Sequence, residues 1–212
     1  MSAIPGNRRN SSTNAPGRRA SGFSLLESLF TLSLAGIVLA IALPSFCRLN
    51  ADIRTRTTAE QLAGALRLAQ ISAVTRNRPA AFMLTNGTPG PGAGAAANGS
   101  HWLVKVLSPS QAGAASADII QVSSAALQNH VSLTGPAQVC FDAQGMQTPT
   151  PLPSDAASPA CTQPGGEAGG ATSYLVARTG ATHQFKVRVH RTGRVELCDA
   201  ASERATDPDR CL

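Results

Sequence analysis

Aromatic and charged residues are scarce in this 212-residue chain: 4% of it is Phe, Trp or Tyr, and 14% is Asp, Glu, Lys or Arg. So thin an aromatic supply argues against a large enzyme with a deep aromatic-lined pocket. Without dominance of A/E/K/L/R or a sustained heptad, the chain is no coiled coil either. Acid is absent altogether from the first 22 residues, which hold Arg8, Arg9, Arg18 and Arg19. Beyond them 14 basic residues face 12 acidic ones, so the formal charge of +6 mostly reflects a tail and is weak grounds for a nucleic-acid protein. Catalytic signatures are missing as well: there is no GxSxG, no HExxH, no P-loop and no close carboxylate pair in a cleft-like setting. His101, His130, His183 and His190 are dispersed. No enzyme and no cofactor are expected. What the chain does have is 42% hydrophobic residues, which excludes wholesale disorder.

One apolar run sets the topology. Phe23 to Phe46 is 24 residues long, with Glu27 as its only charge. At ~1.5 Å per residue a helix of that length crosses a hydrocarbon core of ~30 Å with some tilt. An ordinary secretory signal has a shorter apolar region and a small-residue cleavage site after it; neither applies here. The arginines before the run place the N-terminus in the cytoplasm and the remainder outside. A plain signal anchor explains all of this except Glu27. A carboxylate costs ~2.5–3.5 kcal/mol near a bilayer centre on insertion scales, less toward the interface. Such a residue is by default functional and in need of a partner.

Gly22-Phe23-Ser24-Leu25-Leu26-Glu27, after a basic leader and before the apolar run, resembles the class III prepilin signal of type IV pilins and type II secretion pseudopilins. The resemblance implies cleavage between Gly22 and Phe23 by the prepilin peptidase, with N-methylation of the new Phe23 amine. Pro44 matches the helix proline that these proteins often carry 22 residues into the mature chain. The physical chemistry agrees: cleavage creates an amine at the head of the membrane helix, and Glu27 is the one buried charge able to pair with an amine on a neighbouring subunit. Two charges that are costly apart in the bilayer become tolerable together. Glu27 thus reads as an assembly device.

The organisation that follows is a cleaved leader (1–22), a transmembrane half-helix (23–47), an amphipathic half-helix outside the inner membrane (48–78), and a β-rich periplasmic domain (79–212). Leu62, Leu66, Ala69 and Ala73 recur at helical spacing, with Arg54, Arg56, Glu60, Arg67 and Gln70 on other faces. Pro79 stops the helix, because the residue before a proline is pushed out of the helical region. Short apolar runs then predict strands at 80–85, 102–107, 119–122, 131–134, 138–147 with a turn at Gly145, 173–178, 184–190 and 194–198. Two Gly/Pro/Ala-rich stretches, 86–100 and 149–172, read as flexible loops. The expected fold is α+β: one long N-terminal helix of about 50 residues on a mostly antiparallel sheet, type IV pilin-like, with Leu62 and Leu66 in the contact.

The last pair of strands is the clearest. Phe185, Val187 and Val189 alternate with Lys186, Arg188 and His190, giving an apolar face and a basic outer face. Arg191-Thr192-Gly193 suits a three-residue hairpin loop with Gly193 left-handed. That register sets Val189 opposite Val195, Val187 opposite Leu197 and Arg188 opposite Glu196. Cys140-Phe141…Gly145 together with Gly193-Arg194…Cys198 resembles the GspH/FimT family of minor pseudopilins and minor pilins. Membership implies a structural subunit near the initiation or tip of a filament, with other pilins or pseudopilins as partners. FimT-type members also include DNA receptors of natural transformation that end in a Gly-Arg-x-Arg hairpin. Here Glu196 replaces the second arginine, although Lys186, Arg188, Arg191 and Arg194 still form a basic strip, and DNA binding stands as the alternative reading.

Cys47 lies at the membrane edge, where a small apolar residue explains it. Cys140, Cys161, Cys198 and Cys211 lie in the exported part, where an oxidising periplasm permits disulfides in three connectivities. Cys140–Cys161, closing the second loop, and Cys198–Cys211, pinning the charged C-terminus, are preferred. A zinc site is disfavoured, because no CxxC pair exists and His183 and His190 are not adjacent to the cysteines.

Overall fold

A computed structural model describes residues 24–107, 118–123, 131–149, 161–165, 170–200 and 211. Helix α1 (Leu25–Thr75) is followed by β1 (Ala80–Thr85), β2 (His101–Val106), β3 (Asp118–Val122), β4 (Val131–Thr134), β5 (Gln138–Phe141), β6 (Gln147–Thr148), β7 (Ala171–Arg178), β8 (Phe185–His190) and β9 (Val195–Asp199). The described residues fall into two units, one up to Ala42 and one from Leu43 onward. Within the first, every residue from Ser24 to Ala42 is exposed, including Leu25, Leu29, Phe30 and Ile41. A helix that is apolar on all sides and covered on none is built for a non-aqueous neighbour, and its length and composition suit a membrane crossing.

In the second unit, burial along α1 begins at Ala51 and recurs at Thr55, Ala59, Leu62, Leu66, Ala69 and Ala73. That stripe meets Phe82, Val104, Val139 and Phe141 from one sheet and Tyr174, Val176, Val187 and Val189 from another in a single core. Alanines at 59, 63, 65, 69 and 73 keep the helix surface low there. Phe82 fills the space, with its ring edge-on to Tyr174 at 5.5 Å. The helix ends at Thr75, three residues before the expected stop. Asn77 turns left-handed (φ 49°), the Asn77 N–H donates to the Val74 carbonyl, and the Arg78 N–H reaches back to that of Ala73. This is a Schellman-type cap, with Asn in the place glycine usually takes. Pro79 follows as a second barrier rather than acting as the terminator.

The strands pair antiparallel throughout, as expected. They form two sheets rather than one, ordered β3-β2-β1-β5-β6 and β4-β7-β8-β9. The chain changes sheet between β4 and β5, where Gly135 lies so close to the Tyr174 ring that a Cβ would overlap it. β1 is buried on both faces: Ala80, Phe82 and Leu84 join the helix core, while Ala81 packs with Leu107, Cys140 and Cys161 behind the sheet.

The stretch 86–100 departs from the expectation of a featureless loop. It returns along β1 beyond the end of β5, where the Ala96 N–H donates to the Leu84 carbonyl at 2.8 Å. Asn98 then clasps Gly135, with its N–H on the Gly135 carbonyl (3.1 Å) and its Oδ1 accepting from the Gly135 N–H (2.8 Å). Most of the second stretch, 149–172, lies outside the described residues.

Candidate functional site

The cleavage-site pair Gly22 and Phe23 lies outside the described residues, as does His130. Glu27 is the acid in the first turn of α1 and is the one charged residue among the exposed, mostly apolar residues 25–42. α1 runs on through Pro44, which supplies no N–H and so leaves the carbonyl one turn earlier without its helical donor.

The β8–β9 hairpin has the register expected from its alternation: Val189 pairs with Val195, Val187 with Leu197 and Arg188 with Glu196. Gly193 is left-handed (φ 82°) and its N–H donates to the His190 carbonyl at 2.8 Å, closing the three-residue loop. The outer face is not an open basic strip. Arg188 is only 7% exposed, on the central strand between Ser173 of β7 and Glu196 of β9. Glu196 collects charge on itself, with His190 Nε2 at 2.7 Å and Arg194 Nη2 at 2.5 Å. The hydrogen bond from His190 leads in holding its carboxyl below the usual range; burial opposes this, and the fields of Arg194 and Arg188 assist it. Arg191 is exposed at the tip, and its carbonyl accepts from the Gln147 N–H at 3.0 Å. Lys186 sits beside Cys198, whose Sγ lies 3.6 Å from the Lys186 carbonyl.

The two glycines of the motif halves meet. The β5–β6 turn is held by Asp142, whose Oδ1 accepts from the N–H groups of Gln144 (3.0 Å) and Met146 (2.8 Å). At its corner Gly145 is left-handed (φ 80°). The Gly145 carbonyl accepts from Gln70 Nε2 of α1 at 3.0 Å, and a Cβ on Gly193 would overlap both that carbonyl and the Gln70 amide. One helix residue and two turns, one from each sheet, thus share a single contact point. A hydrogen bond from Gln147 Nε2 to Thr172 Oγ1 (2.7 Å) joins the sheets beside it. The sequence marks Gln70 only as a residue on another face of the helix, since nothing local in it points to a partner 75 residues away.

A second tie escaped the sequence entirely. Asp52 of α1 accepts from the Thr182 N–H and Oγ1 (both 2.7 Å) and from the His183 N–H (3.1 Å), fastening the β7–β8 loop to the helix. Burial is the largest single influence and pushes the Asp52 carboxyl up, but the three donors together with the field of His183 outweigh it and hold the carboxyl below its ordinary value. His183 Nδ1 in turn lies 2.6 Å from Asp199 Oδ2.

The cysteines bond as Cys140–Cys161 and Cys198–Cys211, with Cα separations of 5.6 and 5.0 Å, and Cys47 is free and exposed. Gln138 Nε2 lies 3.2 Å from the Cys140 sulfur behind the first sheet. Among the described residues no group of His, Cys, Asp and Glu is arranged to hold a metal ion.

The chain has similarity to proteins of known structure. It is similar to the type IV minor pilin FimU of Pseudomonas aeruginosa PAO1, at 14% identity and a TM-score of 0.43, over 67% of this chain and 90% of that one. It is similar also to the minor pseudopilin EpsH from the type 2 secretion system of Vibrio cholerae, at 11% identity and a TM-score of 0.43, over 69% and 97% of the two chains. No curated protein matches the sequence. The family model described as type II transport protein GspH matches residues 58–205, well over half of the chain, and includes both motif glycines and Gln70, the helix residue that meets them. The protein belongs to the GspH family, whose members are structural subunits and not enzymes.

Proposed function

We propose that the chain is a minor subunit of a periplasmic filament, either a type II secretion pseudopilus or a type IV pilus, placed at its initiation or tip. Prepilin peptidase removes residues 1–22, the Phe23 amine is methylated, and residues 23–47 anchor the protein in the inner membrane until a filament takes it up. Residues 48–78 and 79–212 stand in the periplasm. The observation that carries this reading is the division of α1: exposed and mostly apolar with a single charge, Glu27, up to Ala42, and bearing a stripe buried against two sheets from Ala51 on. An all-round apolar helix with one carboxylate needs neighbours that are apolar and supply one positive charge. Other subunits of the same type, each with a free N-terminal amine, meet both needs.

Intact-mass analysis of membrane-extracted protein should show the chain beginning at Phe23 with one added methyl group. A mature species that keeps Arg18–Gly22 contradicts the processing step. Glu27→Ala should be cleaved normally but enter filaments poorly, since it leaves an amine unpaired in the bilayer; normal incorporation contradicts the assembly role. Which filament is built follows from the neighbouring genes, secretion genes indicating a pseudopilus and pilus genes a pilus.

A further inference from the structure

The β1–β2 connection contains the same dipeptide twice, Asn86-Gly87 and Asn98-Gly99, in two different environments. Glycine after asparagine is the arrangement most open to ring closure, because no side chain hinders approach of the following backbone nitrogen to the asparagine side-chain carbonyl. Asn86 and Gly87 are both exposed, and a Cβ built on Gly87 meets nothing within 4 Å. Among the described residues nothing hydrogen-bonds the Asn86 side chain or the Gly87 N–H; Thr85 Oγ1 holds only the Gly87 carbonyl, at 2.9 Å. Asn98 is the opposite case. Its Oδ1 is engaged by the Gly135 N–H at 2.8 Å and its own N–H by the Gly135 carbonyl. Gly99 is buried, with its Cβ position 2.6 Å from the Thr85 carbonyl oxygen. To bring its side-chain carbon onto the Gly99 nitrogen, Asn98 would have to release Gly135 and lift Gly99 off β1.

We propose that Asn86 is a site of spontaneous covalent modification, converted through a cyclic imide to aspartate and isoaspartate, while the fold protects Asn98. The Gly87 nitrogen, having lost its proton to water, bonds to the Asn86 side-chain carbonyl carbon. The bond from that carbon to Nδ2 breaks, and the nitrogen leaves as ammonia with a proton returned from water. A second water then opens the imide at one carbonyl or the other, its hydroxyl going to carbon and its hydrogen to the Gly87 nitrogen. Nothing is oxidised or reduced. One neutral amide becomes a carboxylate, and the isoaspartate product carries the backbone through an extra methylene directly after Thr85, which is buried.

Hydroxylamine, which attacks the cyclic imide and cuts the chain there, reads the proposal directly. Full-length protein in detergent micelles, native or unfolded in urea, is incubated with hydroxylamine at mildly alkaline pH, and the fragments are sized by mass spectrometry. The native protein should be cut after Asn86 at least tenfold faster than after Asn98. Unfolding should bring the two rates within a few-fold of each other, since the local sequences match. Gly87→Ala should suppress the first cut with native stability retained. Asn98→Ala should loosen the clasp on Gly135 without creating a new cut. Equal native rates at the two sites, or no cut after Asn86 in folded protein, would overturn the proposal.

Discussion

Gly193→Ala tests whether the junction of Gln70, Gly145 and Gly193 holds the domain together, and Gly180→Ala supplies its control. Both glycines are left-handed, at φ 82° and 85°, so alanine at either costs about 1–2 kcal/mol in backbone conformation alone. The surroundings differ: around Gly180 a Cβ meets open space, whereas at Gly193 it overlaps the Gly145 carbonyl and the Gln70 amide. The obstacle is partly backbone, so rotating a side chain does not relieve it. Overpacking of this kind costs about 1–3 kcal/mol, and losing the Gln70–Gly145 hydrogen bond adds about 1 kcal/mol. Gly193→Ala should therefore destabilise by about 3–6 kcal/mol, a large share of a stability that is usually about 5–15 kcal/mol. Trp102, the single tryptophan, is buried in β2 and reports urea unfolding of the micelle-solubilised chain by its fluorescence. With a slope of about 2 kcal/mol per molar urea, the midpoint should fall by roughly 1.5–3 M for Gly193→Ala and by about 1 M or less for Gly180→Ala. In the double variant, Gln70→Ala should recover part of the loss, because one of the two obstacles is gone. Equal shifts for the two glycines would refute the argument.

Replacing Cys140 or Cys198 by serine should each cost about 3 kcal/mol, seen as a lower urea midpoint that reductant no longer changes further at that bond. Asp52→Asn should cost about 0.5–1 kcal/mol near neutral pH, since the carboxylate is mostly solvated and screened. Its folded-state value lies below the unfolded one, so its contribution is complete above about pH 4 and is lost as pH falls further; the variant should show a shallower acid limb of stability against pH. Glu196 acts with the same sign. In gel-shift titrations of the full chain at two salt concentrations, no salt-sensitive DNA retardation is expected, because Arg194 and His190 are engaged by Glu196 and Arg188 is covered. Tight binding that Arg194→Ala abolishes would restore the DNA reading.

Local pattern made the helix and the last hairpin readable. Leu62, Leu66, Ala69 and Ala73 recur at helical spacing, and Val187 and Val189 alternate with polar neighbours, so one buried face is written into each. The division into two sheets was not legible: β1 is covered on both sides and shows no alternation to assign its strand to a layer. The chain end of α1 was placed too late because proline is a conspicuous stop, whereas Asn77 shows itself only through its positive φ. The order in 86–100 depends on Asn98 meeting Gly135, and the ties at Asp52 and Gln70 depend on partners 130 and 75 residues away. Composition carries no trace of such distances. Alternation likewise places Arg188 on the outer side of its strand, opposite Glu196, but not its burial, because it marks which side a residue takes and not what lies across that side.

The helix that bridges both sheets also orders events in time. Synthesis proceeds from the N-terminus, so Leu62, Leu66 and Ala69 emerge long before the valines of β8 and β9 that complete their cover. For that interval the helix can shelter only against strands up to β7, and the part of its apolar stripe that Val187, Val189 and Val195 complete has no native partner. Pairings across such separations close slowly, and folding should wait on the last residues of the domain. A truncation that removes only the β8–β9 hairpin would then leave more than a shortened sheet: it would leave a greasy helix with a permanent vacancy, prone to seek the hairpin of another copy.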